Sequence, residues 1–78
     1  MKTKYTITMD GHVIMDTFHI HEACGAFNGI IEYAQTIGQT VTMPDRISIE
    51  DTYLGVIDYG IINGKVLTLK QTVAFDPR

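Results

Sequence analysis

The chain opens with alternating polar and apolar residues, the pattern of a strand with one buried face. Residues 4–9 alternate with a period of two, and Asp10-Gly11 follows them directly. A type I′ turn needs positive φ at both central positions, which Asp tolerates and Gly prefers. The pattern therefore predicts a β-hairpin whose second strand runs from His12 to about His19.

The two-residue turn also sets the register of this hairpin. Met9 should oppose His12. Ile7 should oppose Ile14, and every second residue should then point to the same side. The side with the larger apolar residues is the predicted core side. Its members are Tyr5, Ile7, Met9, Ile14 and Phe18.

Apolar residues then recur at helical spacing from His21 to Ile37. They form one stripe, so the segment predicts an amphipathic helix that docks on the sheet. Glu22 suits the positive end of the helix dipole, and Gly38 suits the left-handed position after the last helical residue. The stripe consists of Ala23, Phe27, Ile30, Ile31, Ala34 and Ile37.

The segment after the helix has a weaker pattern. Residues 39–43 include β-branched side chains and predict a short strand, which Pro44-Asp45 ends. A helix-capping pattern predicts a short helical turn within Ser48–Leu54, with a strand over residues 47–51 as the alternative.

A second hairpin is predicted near the C-terminus. Leu54–Ile62 and Lys65–Phe75 are rich in apolar residues and flank Asn63-Gly64, another type I′ signature. The spacing of the two segments indicates antiparallel strands joined by this turn.

Both faces of the second hairpin are apolar. Its turn should pair Gly60 with Leu67, and Asp58 with Leu69. One face presents Ile57, Tyr59, Ile61 and Val66, and the other presents Val56, Ile62, Leu67 and Leu69. An antiparallel sheet with solvent on one side usually has one polar face. We therefore expect something to cover the second face.

These elements predict one small α+β domain over residues 1–78. The order is a hairpin, one amphipathic helix, an irregular segment and a second hairpin, with the helix on one face of an antiparallel sheet of about four or five strands.

Of the 78 residues, 45% are apolar and 19% are charged, which excludes a disordered chain. The single cysteine cannot form an internal disulfide, so packing alone must hold the fold.

Charge and hydropathy indicate the cellular location of the protein and the classes of partner that it can bind. Nine acidic residues against six basic ones give a net charge of −3, and the basic residues are scattered. A nucleic-acid binder needs a basic stripe, so we do not expect DNA or RNA as a partner. No apolar run approaches the roughly 20 residues of a membrane span, and residues 1–9 lack a signal-peptide pattern. Since there is also only one cysteine, we expect a cytoplasmic protein without membrane contact.

The nearest approach to a catalytic or metal motif is His19-x-His21-x-x-Cys24. Imidazole and thiolate are zinc ligands, and an extended strand would point both histidines the same way. No fourth ligand can be assigned, and a thiol nucleophile would also need an orienting group and an oxyanion pocket. We therefore predict a buried thiol at a strand–helix junction, no cofactor and no enzyme activity. A metal or small-ligand site at this junction is the alternative.

Two glycines inside the predicted helix need a separate explanation. Gly25 and Gly29 each cost about 1 kcal/mol of stability relative to alanine. By the helical period they lie opposite the apolar stripe, beside Asn28 and Glu32. Two glycines on an outer face make a flat groove that another backbone can approach, so Gly25, Asn28, Gly29 and Glu32 are candidate partner-binding residues. The alternative is a helix phase that differs by one position, with both glycines against the sheet.

Tyr53 and Tyr59 are the other candidates for partner binding. Tyrosine combines a large apolar ring with a hydrogen-bonding tip and is favoured at interfaces. Both tyrosines lie near glycines and acidic residues in the sequence. The alternative is that each ring covers the rim of a small core.

The sequence contains no catalytic constellation. The second hairpin is apolar on both faces, and the helix has two glycines on its outer side, so we predict a protein-binding module. We expect a small regulator or inhibitor of a larger protein, of the kind that phages and mobile elements direct at host machinery, the last point by analogy alone. An obligate homodimer, joined through the second sheet face or an edge strand, would explain the same surfaces. The remaining alternative is the ligand or metal site at His19, His21 and Cys24.

Overall fold

Five strands and one helix make up the part of the chain that the computed structural model describes, residues 2–43 and 55–74. Along the chain they are β1 (Lys2–Met9), β2 (His12–Thr17), α1 (Ile20–Thr36), β3 (Val41–Thr42), β4 (Val56–Ile62) and β5 (Lys65–Ala74). The strands form one antiparallel sheet in the order β2-β1-β5-β4-β3, and α1 packs on one of its faces. The predicted α+β fold is confirmed. The helical turn predicted within Ser48–Leu54 lies outside the described residues.

Both predicted type I′ turns are present. Asp10 and Gly11 have φ of 54° and 86°, and Asn63 and Gly64 have φ of 51° and 82°. Positive φ at both central positions matches the twist of the flanking strands. Each turn fixes the pairing beside it, and the predicted pairs next to both turns are observed.

A β-bulge makes the rest of the first hairpin differ from the prediction. The register of β1 and β2 shifts between Ile7 and Thr8, so Ile7 opposes Met15 instead of Ile14. A bulge places one extra residue in one strand, and a shift by one residue turns the later side chains to the other face. Ile14 is consequently 49% exposed, and Met15 packs against the core in its place. Phe18, also predicted for the core, follows the end of β2 and is 50% exposed.

The helix follows most of the predicted stripe. It begins at Ile20 and ends at Thr36, and its buried residues are Ala23, Phe27, Ile31 and Ala34. Ile30 packs against the same core, whereas Ile37 is 53% exposed, so its assignment to the core is wrong. Ile37 is the C-cap residue, one position beyond the last helical residue, so no further turn of α1 extends the buried stripe past it. Within residues 2–43 and 55–74, no helix is long and apolar enough to cross a membrane.

Gly38 ends the helix as predicted, with a φ of 84° that favours glycine. Its N–H donates to the carbonyl of Gln35 over 3.1 Å, and the N–H of Gln39 donates to the carbonyl of Ala34 over 2.9 Å. These two bonds form a Schellman motif, which satisfies carbonyls that the last helical turn leaves unpaired.

The core lies between α1 and the central strands. Phe27 is 1% exposed, and both Ile7 and Leu67 are fully buried. The cluster consists of Ile7, Ala23, Phe27, Ile31, Ala34, Ile62, Leu67 and Leu69. Ile62, Leu67 and Leu69, which are predicted to share one face of the second hairpin, all belong to this cluster.

A second bulge removes Val56 from this cluster. The register of β4 and β5 shifts between Val56 and Asp58, so Val56 opposes Lys70. Val56 is buried, yet it does not join the cluster that contains Leu69, with which it was predicted to share a face. Ile57, which the shift leaves without a direct partner, is 37% exposed.

β3 is the short strand predicted within residues 39–43. Val41 opposes Ile62 of β4. The N–H of Asn63 donates to the carbonyl of Thr40 over 2.9 Å, and its Oδ1 accepts the N–H of Thr40 over 3.3 Å. These bonds attach the turn of the second hairpin to β3.

At Gly60 the sheet leaves room for two neighbouring side chains. A Cβ at this position would lie 2.7 Å from Sδ of Met43 and 3.3 Å from Cδ1 of Ile31. The missing side chain lets α1 and the end of β3 approach β4, and it shows that Gly60 faces the helix.

The bulge in β2 can be tested by truncating two neighbouring residues. Met15→Ala should lower the free energy of unfolding by about 1–2 kcal/mol, since Met15 packs against the core. Ile14→Ala should lower it by about 0.5 kcal/mol or less, since surface positions contribute little. Urea denaturation measures both losses. A larger loss for Ile14→Ala than for Met15→Ala would contradict the register shift.

Candidate protein-binding surfaces

Four of the predicted binding residues lie together on the outer side of α1. Gly25, Asn28, Gly29 and Glu32 are all exposed, and their spacing places them along one line of the helix. A Cβ added at Gly25 or Gly29 would meet no atom of another described element within 4 Å. The alternative that the glycines lie against the sheet is therefore wrong.

Two large apolar residues extend this line. Tyr33 and Ile37 follow Gly25 and Gly29 at the same four-residue spacing, and they are 64% and 53% exposed. Tyr33 is not among the predicted binding residues and Ile37 is one of the predicted core residues, although their four-residue spacing from the glycines is readable from the sequence. We call Gly25, Asn28, Gly29, Glu32, Tyr33 and Ile37 the helix outer face. The half of this face that contains Gly25 and Gly29 is flat, and the half that contains Tyr33 and Ile37 is apolar.

The ionised side chains of α1 are all acidic. Glu22 and Glu32 are its carboxylates, and the helix contains no Lys or Arg. Glu22 lies in the first turn, where the helix dipole favours negative charge, and its Oε2 accepts a 2.9 Å hydrogen bond from Oγ1 of Thr17. Glu32 lies midway along the helix outer face. This face therefore suits a neutral or basic surface better than an acidic one.

The structure separates Tyr59 from the helix outer face. Gly60 faces α1, and successive residues of a strand point to opposite faces, so Tyr59 points away from the helix. Tyr59 is half-buried and opposes Thr68 of β5. Tyr53, the other tyrosine candidate, lies outside the described residues.

Tyr59 belongs to the face of the sheet that α1 does not cover, which we call the open sheet face. Strand alternation and register assign to it Lys2, Lys4, Thr6, Thr8, Val13, Asp16, Val56, Tyr59, Ile61, Val66, Thr68, Lys70 and Thr72, of which Val56 and Thr8 are buried. Val13 and Val66 are 59% and 38% exposed. Among the described residues, no helix packs on this side. The apolar second face expected from the sequence is thus present at the β4–β5 end of the sheet.

Polar side chains in the middle of the open sheet face bond to one another. Oγ1 of Thr6 donates to Oδ1 of Asp16 over 2.7 Å, and Nζ of Lys4 lies 3.6 Å from Oδ2 of the same carboxylate. The hydroxyls of Thr8 and Thr68 form a hydrogen bond between the two central strands. These bonds explain why this face accommodates polar residues beside its apolar end.

The strand–helix junction differs from the predicted arrangement of His19, His21 and Cys24. His19 is the N-cap residue with extended backbone, and the helix has already begun at Ile20, so the two histidines do not share a strand. Both histidines are exposed, while Cys24 packs against the core. Within the part of the chain that the structure describes, no three His, Cys, Asp or Glu side chains are grouped so that they could hold a metal ion.

Comparison with known proteins adds no relative: no family model, no curated protein and no solved structure matches this chain. The function must therefore be argued from the two exposed surfaces themselves.

The open space around the helix glycines predicts an unusual gain in stability. Gly25→Ala and Gly29→Ala should each raise the free energy of unfolding by about 0.5–1 kcal/mol, since alanine is the better helix former and its Cβ meets no neighbour. Gly38→Ala is the matched control, because it also faces open space but has a φ of 84°. That substitution should lower the free energy of unfolding by about 1–2 kcal/mol. Urea or thermal unfolding distinguishes the two outcomes, and losses at Gly25 or Gly29 like that at Gly38 would show that they are packed.

Proposed function

We propose that this chain is a small non-catalytic protein-binding module, a regulator or inhibitor of a larger protein, and that it binds through the helix outer face. The observation that carries the proposal is the exposure of Tyr33 and Ile37, at 64% and 53%, in line with two glycines that face open space. A single exposed apolar residue is ordinary on a protein surface. The alignment of all four residues along α1 supports one continuous binding surface.

Within residues 2–43 and 55–74, the fold gives Gly25 and Gly29 no role that alanine could not fill. Neither glycine is close to another described element, and each lowers helix stability by about 1 kcal/mol relative to alanine. A partner whose backbone comes close to α1 would give both residues a role, because a Cβ at either position would hold that backbone farther away.

Tyr33 and Ile37 supply the apolar part of the surface. Large, rigid side chains that fill a partner's pocket contribute most of the affinity in typical interfaces, and tyrosine is enriched among them. Asn28 and Glu32 flank the glycines and can fix the orientation of the partner through hydrogen bonds and charge. The partner surface that fits is flat beside the glycines, has a shallow apolar pocket for Tyr33, and is neutral or basic near Glu32.

A charge placed at the centre of the helix outer face tests this proposal. Gly29→Glu should leave the melting temperature close to that of the wild type, since the position faces open space. It should lower the amount of partner captured from an extract of the source cells by at least about tenfold, because a carboxylate would be buried in the interface. Gln35→Glu is the matched control, since it adds the same charge to an exposed position of α1 outside the helix outer face.

Quantitative mass spectrometry of the captured proteins compares the wild type with both variants. A protein retained by the wild type and by Gln35→Glu, but lost with Gly29→Glu, supports the helix outer face. Equal retention by all three chains would contradict it. The absence of any protein specific to the wild type would contradict the proposed function altogether.

A further inference from the structure

The dipeptide Asn-Gly occurs twice in this chain, at Asn28-Gly29 within α1 and at Asn63-Gly64 in the turn between β4 and β5. Asparagine is a chemically labile residue, because the backbone nitrogen that follows it can attack its side-chain amide. A following glycine has no side chain to obstruct that attack. Both asparagines are exposed, and a Cβ at either glycine would meet no described atom within 4 Å. The two sites therefore differ mainly in their backbone.

The attacking nitrogen is hydrogen-bonded at one site and free of backbone bonds at the other. Inside α1 the N–H of Gly29 donates to the carbonyl of Gly25, four residues earlier. Gly64 lies in a two-residue turn, where the flanking residues Ile62 and Lys65 form the last pair of the ladder. Among the described residues, the N–H of Gly64 donates no backbone hydrogen bond. The nitrogen of Gly64 is therefore available for reaction, whereas that of Gly29 becomes available only when α1 opens locally.

The side-chain carbonyl of Asn63 also has a hydrogen-bond donor. Its Oδ1 accepts the N–H of Thr40 over 3.3 Å. A nitrogen that attacks Cγ pushes negative charge onto this oxygen, and a donor already aimed at the oxygen stabilises that charge. The contact with Thr40 thus favours the attack as well as attaching the turn to β3.

We propose that Asn63 is a site of spontaneous deamidation and that α1 protects Asn28 from the same reaction. The nitrogen of Gly64 loses its proton and attacks Cγ of Asn63, so a bond from this nitrogen to Cγ forms and the bond from Cγ to Nδ2 breaks. Nδ2 leaves as ammonia, which takes up the proton, and a five-membered succinimide ring remains. Water then opens the ring at one of its two carbonyls and yields aspartate or isoaspartate. The reaction consumes only water and changes the charge of the chain covalently.

The two products affect the fold differently. Aspartate keeps an oxygen that can accept the N–H of Thr40, and it adds one negative charge to the net charge of −3. Isoaspartate carries the backbone through Cγ, which adds one carbon to a turn whose two residues have φ of 51° and 82°. A longer turn no longer matches the pairing of Ile62 with Lys65, and it displaces the N–H of Asn63 that donates to Thr40. The isoaspartate product therefore loosens the hairpin from β3.

Incubation of the folded chain in water enriched in heavy oxygen tests the proposal, because each ring that opens takes up one labelled oxygen. Peptide mass spectrometry then measures the deamidation rate at each site, with Asn28 as the matched control in the same molecule. Asn63 should react at least about tenfold faster than Asn28, since a helical hydrogen bond must first break at Gly29. Equal rates, or a faster reaction at Asn28, would overturn the proposal.

The same incubation in concentrated urea shows whether the fold causes the difference. In the unfolded chain both asparagines precede glycine without a fixed backbone, so their rates should agree to within about threefold. A tenfold difference that persists in urea would trace the selectivity to the flanking residues and overturn the protection by α1.

The melting temperatures of the products test the effect on β3. Asn63→Asp reproduces the aspartate product and should melt within about 2 °C of the wild type, whereas the isoaspartate form, separated by chromatography, should melt at least about 4 °C lower. An isoaspartate form that melts with the wild type would contradict the loosening of β3. All of these measurements use the purified chain alone, so their outcome is independent of the proposed protein-binding function.

Discussion

The contact between the apolar stripe of α1 and the central strands holds this molecule together. Phe27 lies at the middle of the contact, with Ile7, Leu67 and Leu69 from β1 and β5 buried in the same cluster. No disulfide within the chain adds to this stabilisation, since the chain has a single cysteine. A single amphipathic helix can cover only one face of a sheet, because it has one apolar stripe and its opposite side is polar. Among the described residues, no other helix packs on the second face of the sheet, and none covers the outer side of α1.

Local patterns predicted much of this architecture, because they depend on neighbouring residues. The turns at Asp10-Gly11 and Asn63-Gly64 follow from the φ that each residue tolerates, and Gly38 follows from the same rule at the helix end. The bulge in β2 could not be read in this way. Ile14 and Met15 are both apolar, so the alternation contains no polar residue that marks which of them faces the core.

The candidate surfaces were predicted only in part, for a related reason. The buried stripe fixes the phase of α1, and that phase places Gly25 and Gly29 outside. The exposure of Ile37 depends on where the helix ends, to within one residue, which the spacing of apolar residues does not determine. The separation of Tyr59 from the helix glycines depends on which face of the sheet α1 covers. That choice is a property of the whole fold, and no local pattern in β4 contains it.

The bulge between β1 and β2 has a consequence for the edges of the sheet. β2 is one edge strand, and the other edge is β3, which has only two residues. An edge strand that is long, regular and apolar is a template for the strands of other molecules and a cause of aggregation. A bulge twists the β2 edge out of register with its neighbour. At that edge the sheet is thus a poor template for the strands of other molecules, which lowers its tendency to aggregate there.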